Sequence, residues 1–273
     1  CRACTNECPS NVNMSLLKAE LQHARIQHRG LTRSERLFSS VDRIGRIGCM
    51  FPFLTNQVLK SSIMRFFASR FLGITSRRKL PEFAWQRFDR WFEKRGAKPA
   101  ARGRVVLWDD TFVRYYEPKI GVSAVAVLEA AGFQVELARG RKCCGRPAFS
   151  QGNLEEASRL GSHNIALLHQ DVDAAPILFL EPSCYSMFME DYRELGLPNA
   201  DDIARRCFLF SDFVENLLQS EPAALKFNSR AEKIIVHVHC HAKALNRCAA
   251  MHRLVERLPE RTVELLDTGC CGM

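Results

Sequence analysis

The 273-residue sequence predicts an α/β protein with a helical, basic N-terminal region, followed by two copies of a parallel-sheet unit, the second truncated. Three observations predict it. From residue 105 onward, short apolar runs alternate with amphipathic stretches, the pattern of strands joined by helical crossovers. The segment VELARGRKCCGR (135–146) returns as VELLDTGCCGM (263–273), each time a Val-Glu-Leu strand, a turn and Cys-Cys-Gly. The 12 cysteines gather in tight motifs rather than spreading over a short scaffold.

Residues 1–12 read as a cysteine motif of loop character. Residues 13–102 read as a basic helical segment. Its first helix spans 13–30, where Met14, Leu16, Leu17, Leu21 and Ile26 keep helical spacing and Gly30 ends it. A dense apolar set follows, including Phe51, Phe53, Leu54, Leu59, Ile63, Phe66, Phe67, Phe71, Phe83, Trp85, Phe88, Trp91 and Phe92, and it reads as core. The first α/β unit covers 103–220, with strands at 105–108, 133–137 and 177–180 and helices at 122–131, 153–169, 184–195 and 201–218. The second unit starts at 231, with a strand opening at 234–236, a helix over 241–258 and a strand over 262–266. Cys1 already lies inside a motif and Met273 follows a cysteine pair, so both ends read as cuts through functional units.

Charge is uneven. Residues 1–105 carry 21 Lys+Arg against 7 Asp+Glu, whereas 106–273 carry 18 against 23. A basic region attracts nucleic acid, an anionic membrane face or an acidic neighbour, and it also suits a solvated face. No nucleic-acid motif with the required spacing is present, so no nucleic-acid partner is expected. No apolar run approaches the roughly 18 residues that span a bilayer.

Cys1-x-x-Cys4-x-x-x-Cys8-Pro9 matches the last three ligands of a bacterial ferredoxin run, whose final cysteine serves a second cluster. Soft thiolates suit iron–sulfur clusters, and short spacings wrap one cubane. A structural zinc site is the alternative. The second constellation is the repeat. Cys143, Cys144 and Cys184 follow strands of the first copy, and Cys240, Cys270 and Cys271 follow strands of the second. In an open parallel sheet, sites form beyond the carboxyl ends of strands. Adjacent cysteines suit a multi-iron cluster better than one tetrahedral zinc; a vicinal disulfide or inert buried thiols remain open.

These stretches, CRACTNECPSNVNMSLLKAE, RVVLWDDTFVRYYEP, RKCCGRPAFSQG, LEPSC, HCHAKAL and DTGCCGM, resemble the C-terminal iron–sulfur region of FAD-binding oxidases of the D-2-hydroxyacid dehydrogenase, D-lactate dehydrogenase and glycolate oxidase type. The cysteine-rich (CCG) domain of that region is shared with heterodisulfide reductase. The resemblance implies 4Fe-4S clusters held by Cys1, Cys4, Cys8, Cys143, Cys144, Cys184, Cys240, Cys270 and Cys271. It also implies FAD on an upstream domain of the same polypeptide, oxidation of a D-2-hydroxyacid there, and electron delivery to a quinone or a soluble acceptor. No catalytic residue is expected in this chain. A heterodisulfide-reductase-like thiol/disulfide subunit and a zinc-stapled basic module are the alternatives. The implied location is cytoplasmic, with room for peripheral contact at the inner face of the cytoplasmic membrane. The first copy departs from the family's pattern: Asp109 and Asp110 stand where its opening cysteine would be, and Glu181-Pro182-Ser183-Cys184 replaces its closing C-x-x-C.

Cys49, Cys207 and Cys248 fall outside the motifs and read as small buried hydrophobes. His237, His239 and His241 flank Cys240; they could ligate iron or relay a proton, but orienting the strand end by hydrogen bonding is the simpler role. Lys243 reads as an offset to thiolate charge, and Gly145 and Gly272 as points of close backbone approach or positive φ.

Overall fold

Four short segments build the main sheet, three of them predominantly apolar and the fourth, Gln134–Leu137, alternating polar and apolar residues. β1 (Arg104–Trp108), β2 (Gln134–Leu137), β3 (Ile177–Phe179) and β4 (Cys207–Leu209) run parallel in the order β2-β1-β3-β4. The computed structural model describes residues 2–10, 12–96, 98, 100–171, 173–266 and 268. Successive side chains of β1 point to opposite faces. Val106 and Trp108 enter one core with Leu160, Phe179 and Phe188, while Val105 and Leu107 enter another with Phe88, Leu128 and Leu178. Covering both faces is what a parallel sheet requires, and it explains why the central strands β1 and β3 lack polar alternation, whereas the edge strand β2 keeps it. The crossover helices Pro118–Ala130 and Leu154–His169 supply much of that cover.

A second, separate sheet pairs β5 (Glu232–Val236) with β6 (Arg261–Leu265), also parallel, in register Ile234 with Val263. Helices Cys240–Ala244 and Cys248–Glu256 connect them. The N-terminal region is helical over Met14–Arg29, Arg33–Phe38, Val41–Gly48, Pro52–Lys60, Ser62–Leu72 and Phe88–Lys94. Asn13 caps the first of these by accepting from the Leu16 N–H, and Thr32 with Glu35 forms a capping box on the second.

Four sequence expectations are corrected. Residues 201–218 are not one helix. Helix Ala200–Ala204 stops, and Arg206 donates to the carbonyls of Leu168 and Ala175, so Cys207-Phe208-Leu209 pairs with β3 before helix Phe210–Ser220 begins. The 241–258 helix breaks at Asn246, whose φ of 55° lies in the left-handed region that ends helices. The 184–195 helix starts earlier, at Pro182, and passes through a π-turn at Met187–Asp191. Most of the aromatic set is not core. Only Phe83 and Phe88 are buried, whereas Phe51, Phe53, Phe66, Phe67, Phe71 and Trp85 are exposed, because the described elements provide no layer over helices Pro52–Lys60 and Ser62–Leu72.

The two sheets are tied by Glu215 on helix Phe210–Ser220. Its fully buried carboxylate accepts from Arg257 at 2.6 and 3.0 Å and from Arg253 at 3.4 Å, both beyond the start of helix Cys248–Glu256. The Arg257 hydrogen bond holds the Glu215 carboxyl below its ordinary value of 4.5. A lowered carboxyl contributes stability that is fully present above pH 4.5 and is lost as pH falls through the folded value. Glu215→Gln is expected to cost about 1–2 kcal/mol near neutral pH. The gap between variant and wild type should shrink as acid is added, which denaturant titrations at pH 7 and pH 4 would measure.

Candidate cysteine-rich site

The carboxyl ends of β1, β2 and β3 converge on one edge of the main sheet, and the loops leaving them carry Asp109–Asp110, Cys143–Cys144 and Cys184. All three thiols are buried. Cys144 Sγ and Cys184 Sγ lie 2.9 Å apart, and Cys143 adjoins Cys144. The cysteine loop is held through its backbone. Asn164 accepts from the Lys142 N–H at 2.9 Å and donates to the Cys143 carbonyl at 3.0 Å, while the Tyr192 hydroxyl donates to the Cys144 carbonyl at 2.7 Å. Gly145 follows at φ 88°, and a Cβ there would meet the Ala157 carbonyl oxygen at 3.1 Å. The motif's glycine therefore answers both requirements at once, a positive φ and contact with helix Leu154–His169.

Burial governs the chemistry of these groups. The Cys143 thiol is pushed well up by its hydrogen bond to Cys144 and by burial, and burial does the same to Cys144. The hydrogen bond from Cys144 favours the Cys184 thiolate, but burial together with the charges of Asp110 and Glu181 outweighs it and raises that thiol to about 11. All three are thiols, not thiolates, at neutral pH, so binding a metal would require releasing their protons.

The two aspartates differ. Asp109 is a structural anion: it accepts from Arg114 at 2.8 Å and from the buried Arg141, which also reaches Asp42 at 2.9 Å. Asp110 caps helix Thr111–Tyr115, its Oδ1 accepting from the Phe112 and Val113 N–H groups at 2.8 and 3.1 Å. Its Oδ2 is buried without a hydrogen-bond partner among the described residues. Burial and the nearby Glu181 raise this carboxyl to about 7. By helix position, the counterpart of Cys240 is Thr111, one place past Asp110. Cys240 is the first residue of helix Cys240–Ala244 after the cap His239, as Thr111 is after the cap Asp110. Thr111 Oγ1 lies 3.8 Å from Cys143 Sγ.

In the second unit, Cys240 is buried on the wall of a cavity of about 490 Å³, lined also by Ala3, Glu7, Lys243, Cys248 and Thr268. The short helix Ala3–Asn6, which carries Cys4, packs on helix Cys240–Ala244. Cys4 is exposed and Cys8 partly so. The ferredoxin-type tail is thus seated beside the thiol of the second unit. Cys1, Cys270, Cys271 and Gly272 lie outside the described residues. His239 caps the helix, accepting from the His241 N–H at 3.2 Å, and burial lowers its pKa. His241 is kept neutral by burial and by Arg146, and shares a 2.7 Å hydrogen bond with Ser186. Lys243 donates to the Thr268 carbonyl. Cys207 donates to the Ile203 carbonyl at 3.2 Å, within its own turn, and Cys49 to that of Tyr115 at 3.4 Å.

A group that sequence reasoning missed joins these parts. Arg2, inside the cysteine tail and 1% exposed, pairs with Asp191 at 2.7 Å and with Glu190. Arg146, next after Cys-Cys-Gly, pairs with the other oxygen of Asp191 and donates to Ser186 at 2.8 Å. Burial opposes the Arg2 charge, but the two carboxylates outweigh it and hold the guanidinium charged. The only sequence signal was an arginine beside each cysteine motif.

Among the described residues, no group of three or more His, Cys, Asp or Glu is spaced to hold a metal ion. In the first unit the reason is geometric. Two thiolates on one tetrahedral ion with bonds of about 2.3 Å stand about 3.8 Å apart, well beyond the 2.9 Å between Cys144 and Cys184. As arranged, these sulfurs do not fit a shared metal. Around Cys240 the donor type and the adjoining cavity do suit a cluster.

A parallel α/β unit with three buried thiols at its carboxyl edge is cysteine-rich by architecture. Residues 109–189 match the family model described as the cysteine-rich (CCG) domain, so this stretch of the chain is similar to that domain. The chain is similar to a subunit of the anaerobic glycerol-3-phosphate dehydrogenase of Escherichia coli strain K12, 26% identical over 277 residues, covering 97% of this chain and 67% of that protein. It is also similar to lactate utilization protein A of Exiguobacterium sp., 30% identical over 164 residues, 57% of this chain and 65% of that protein. A lactate utilization protein A of Bacillus thuringiensis is 27% identical over 178 residues, 62% of this chain and 72% of that protein. The chain therefore spans about two thirds of the length of these relatives. No solved structure matches it.

Gly145→Ala is expected to destabilise the first unit by about 1–3 kcal/mol, through left-handed strain and crowding of the Ala157 backbone. A lowered denaturation midpoint would check this; an unchanged midpoint would show that the loop moves freely away from helix Leu154–His169.

Proposed function

We propose that this chain is the iron–sulfur electron-transfer part of an FAD-linked dehydrogenase that oxidises a D-2-hydroxyacid of the lactate, glycolate or 2-hydroxyglutarate class. The flavin would sit on a neighbouring domain or subunit. The observation that carries the proposal is the seating of the Cys4–Cys8 tail against the helix that begins with Cys240, at the 490 Å³ cavity. Similarity to a lactate utilization protein and to a glycerol-3-phosphate dehydrogenase subunit supports the dehydrogenase class. Cys1, Cys4 and Cys8 would hold 4Fe-4S clusters of the ferredoxin type, and Cys240 with Cys270 and Cys271 a further one. When bound, such clusters supply one-electron transfer. The chain's own residues seat the tail through Arg2, bury Cys240 away from water and place Lys243 beside it to offset thiolate charge. Cys240→Ser, in the complete anaerobically prepared protein, is expected to lower iron and acid-labile sulfide and to block electron delivery to the acceptor. Flavin reduction by substrate should survive, and Cys49→Ser should change none of these. Stoichiometric zinc without the thiolate-to-iron absorbance would sink the proposal.

The exposed aromatic surface favours a membrane-bound acceptor of the quinone class. Trp85 is 72% exposed, Ile63 70% and Phe51 65%, in a region carrying 21 basic against 7 acidic residues. Aromatic and aliphatic side chains interleaved with Arg65, Arg70 and Lys60 match the interface of an anionic bilayer. Among the described residues no helix is long and apolar enough to cross a membrane, so the contact proposed is peripheral. Co-sedimentation with vesicles containing anionic lipid, weakened by salt and by Phe67→Ser/Phe71→Ser, is the expected result. Equal binding to neutral and anionic vesicles would remove the electrostatic part of the argument.

A further inference from the structure

We propose that Cys144 and Cys184 are a redox-active dithiol that closes to a disulfide, so that the first unit stores an electron pair on sulfur where the second unit is built around Cys240. The electron-transfer reading above enters only as the source of the oxidant. The two sulfurs lie 2.9 Å apart. A disulfide bond is about 2.05 Å long, so closure needs less than an ångström of movement. The same separation is too short for two thiolates on one tetrahedral ion, which stand about 3.8 Å apart. The opening position of this unit is Thr111, whose hydroxyl contacts Cys143 and supplies no thiolate. Cys144 and Cys184 are 2% and 6% exposed, which shields the pair from bulky thiols in solution.

A carboxyl group completes the site. Asp110, itself 2% exposed, uses Oδ1 for the helix cap and leaves Oδ2 buried with no hydrogen-bond partner among the described residues. Its charge acts on the Cys184 thiol, as does that of Glu181. In the step proposed, the S–H bonds of Cys144 and Cys184 break and one S–S bond forms. Two protons leave, one to the Asp110 carboxylate and one by way of Glu181 to solvent. Two electrons leave singly, to two one-electron oxidants of the iron–sulfur class. Reduction reverses each transfer.

The test uses the complete protein, prepared anaerobically, oxidised with ferricyanide, unfolded in an alkylating agent and digested for mass spectrometry. The expected product is a linked Cys144–Cys184 peptide, with two fewer free thiols than in the reduced protein. Cys144→Ser and Cys184→Ser should abolish the link and leave iron content unchanged. Asp110→Asn, which keeps the helix cap, should slow closure by about tenfold or more. No link in wild type, a link through Cys143 instead, or loss of a cluster's iron in either serine variant would overturn the proposal. A protein that lacks iron yet forms the link would keep this proposal and sink the electron-transfer reading, so the two failures are separable.

Discussion

The buried carboxylate of Asp191 is the constraint on which the arrangement rests. It sits at the end of a π-turn and accepts two guanidinium groups, Arg2 from the cysteine tail and Arg146 from the turn after Cys-Cys-Gly. Arg146 reaches Ser186, and Ser186 reaches His241 beside Cys240. Three segments far apart in sequence are thereby fixed at one point: the tail, the first cysteine loop and the helix that opens the second unit. A pair of this kind contributes little net stability, because desolvation offsets much of the attraction. Removing one member is another matter, since a charge is left buried and unpaired. The network acts as a specificity device that permits one relative placement of the cysteine motifs and penalises others.

The π-turn has a reason in the same terms. Inserting one extra residue into the helix after Cys184 shifts the register of the next turn, and π-turns commonly occur where a side chain must be re-aimed. Here the turn spans Met187–Asp191, and it delivers Asp191 inward while Met187 and Phe188 stay in the core beside Trp108. Helical periodicity through 184–195 carries no mark of it. The apolar residues it buries would satisfy an ordinary helix equally well.

Legibility in the sequence followed how local the cause was. β1 and β3 were readable as apolar runs, β2 and β6 because each carries Val-Glu-Leu ahead of Cys-Cys-Gly, and β5 from its run Ile234-Ile235-Val236. β4 was hidden because three residues cannot establish a period, and only pairing with β3 makes Cys207-Phe208-Leu209 a strand. Thr111 was hidden because its equivalence to Cys240 is a matter of helix starts, not of residue type. Arg2 and Arg146 were visible as arginines, but their shared partner, Asp191, is set by tertiary structure. The aromatic helices failed in the other direction. Their composition reads as core, yet burial depends on a covering layer, and composition does not say whether one exists.

The two units divide what a complete cysteine-rich site would hold together. The first has the fuller sheet, four strands with both faces covered, and its thiols are kept protonated by burial, joined at Cys184 by the charges of Asp110 and Glu181. The second has the opening thiol, Cys240, on the wall of a cavity beside a basic side chain. A dry, closely packed pocket favours neutral sulfur, because the thiolate form loses its hydration without gaining a cation. A cavity that admits a cation or cluster favours the thiolate for the opposite reason. In the readings proposed above, the close Cys144–Cys184 pair would serve sulfur–sulfur chemistry in one unit, and Cys240 with its adjoining cavity would serve metal ligation in the other. What separates them is the substitution of a hydroxyl for a thiol at the helix start and the space left beside it.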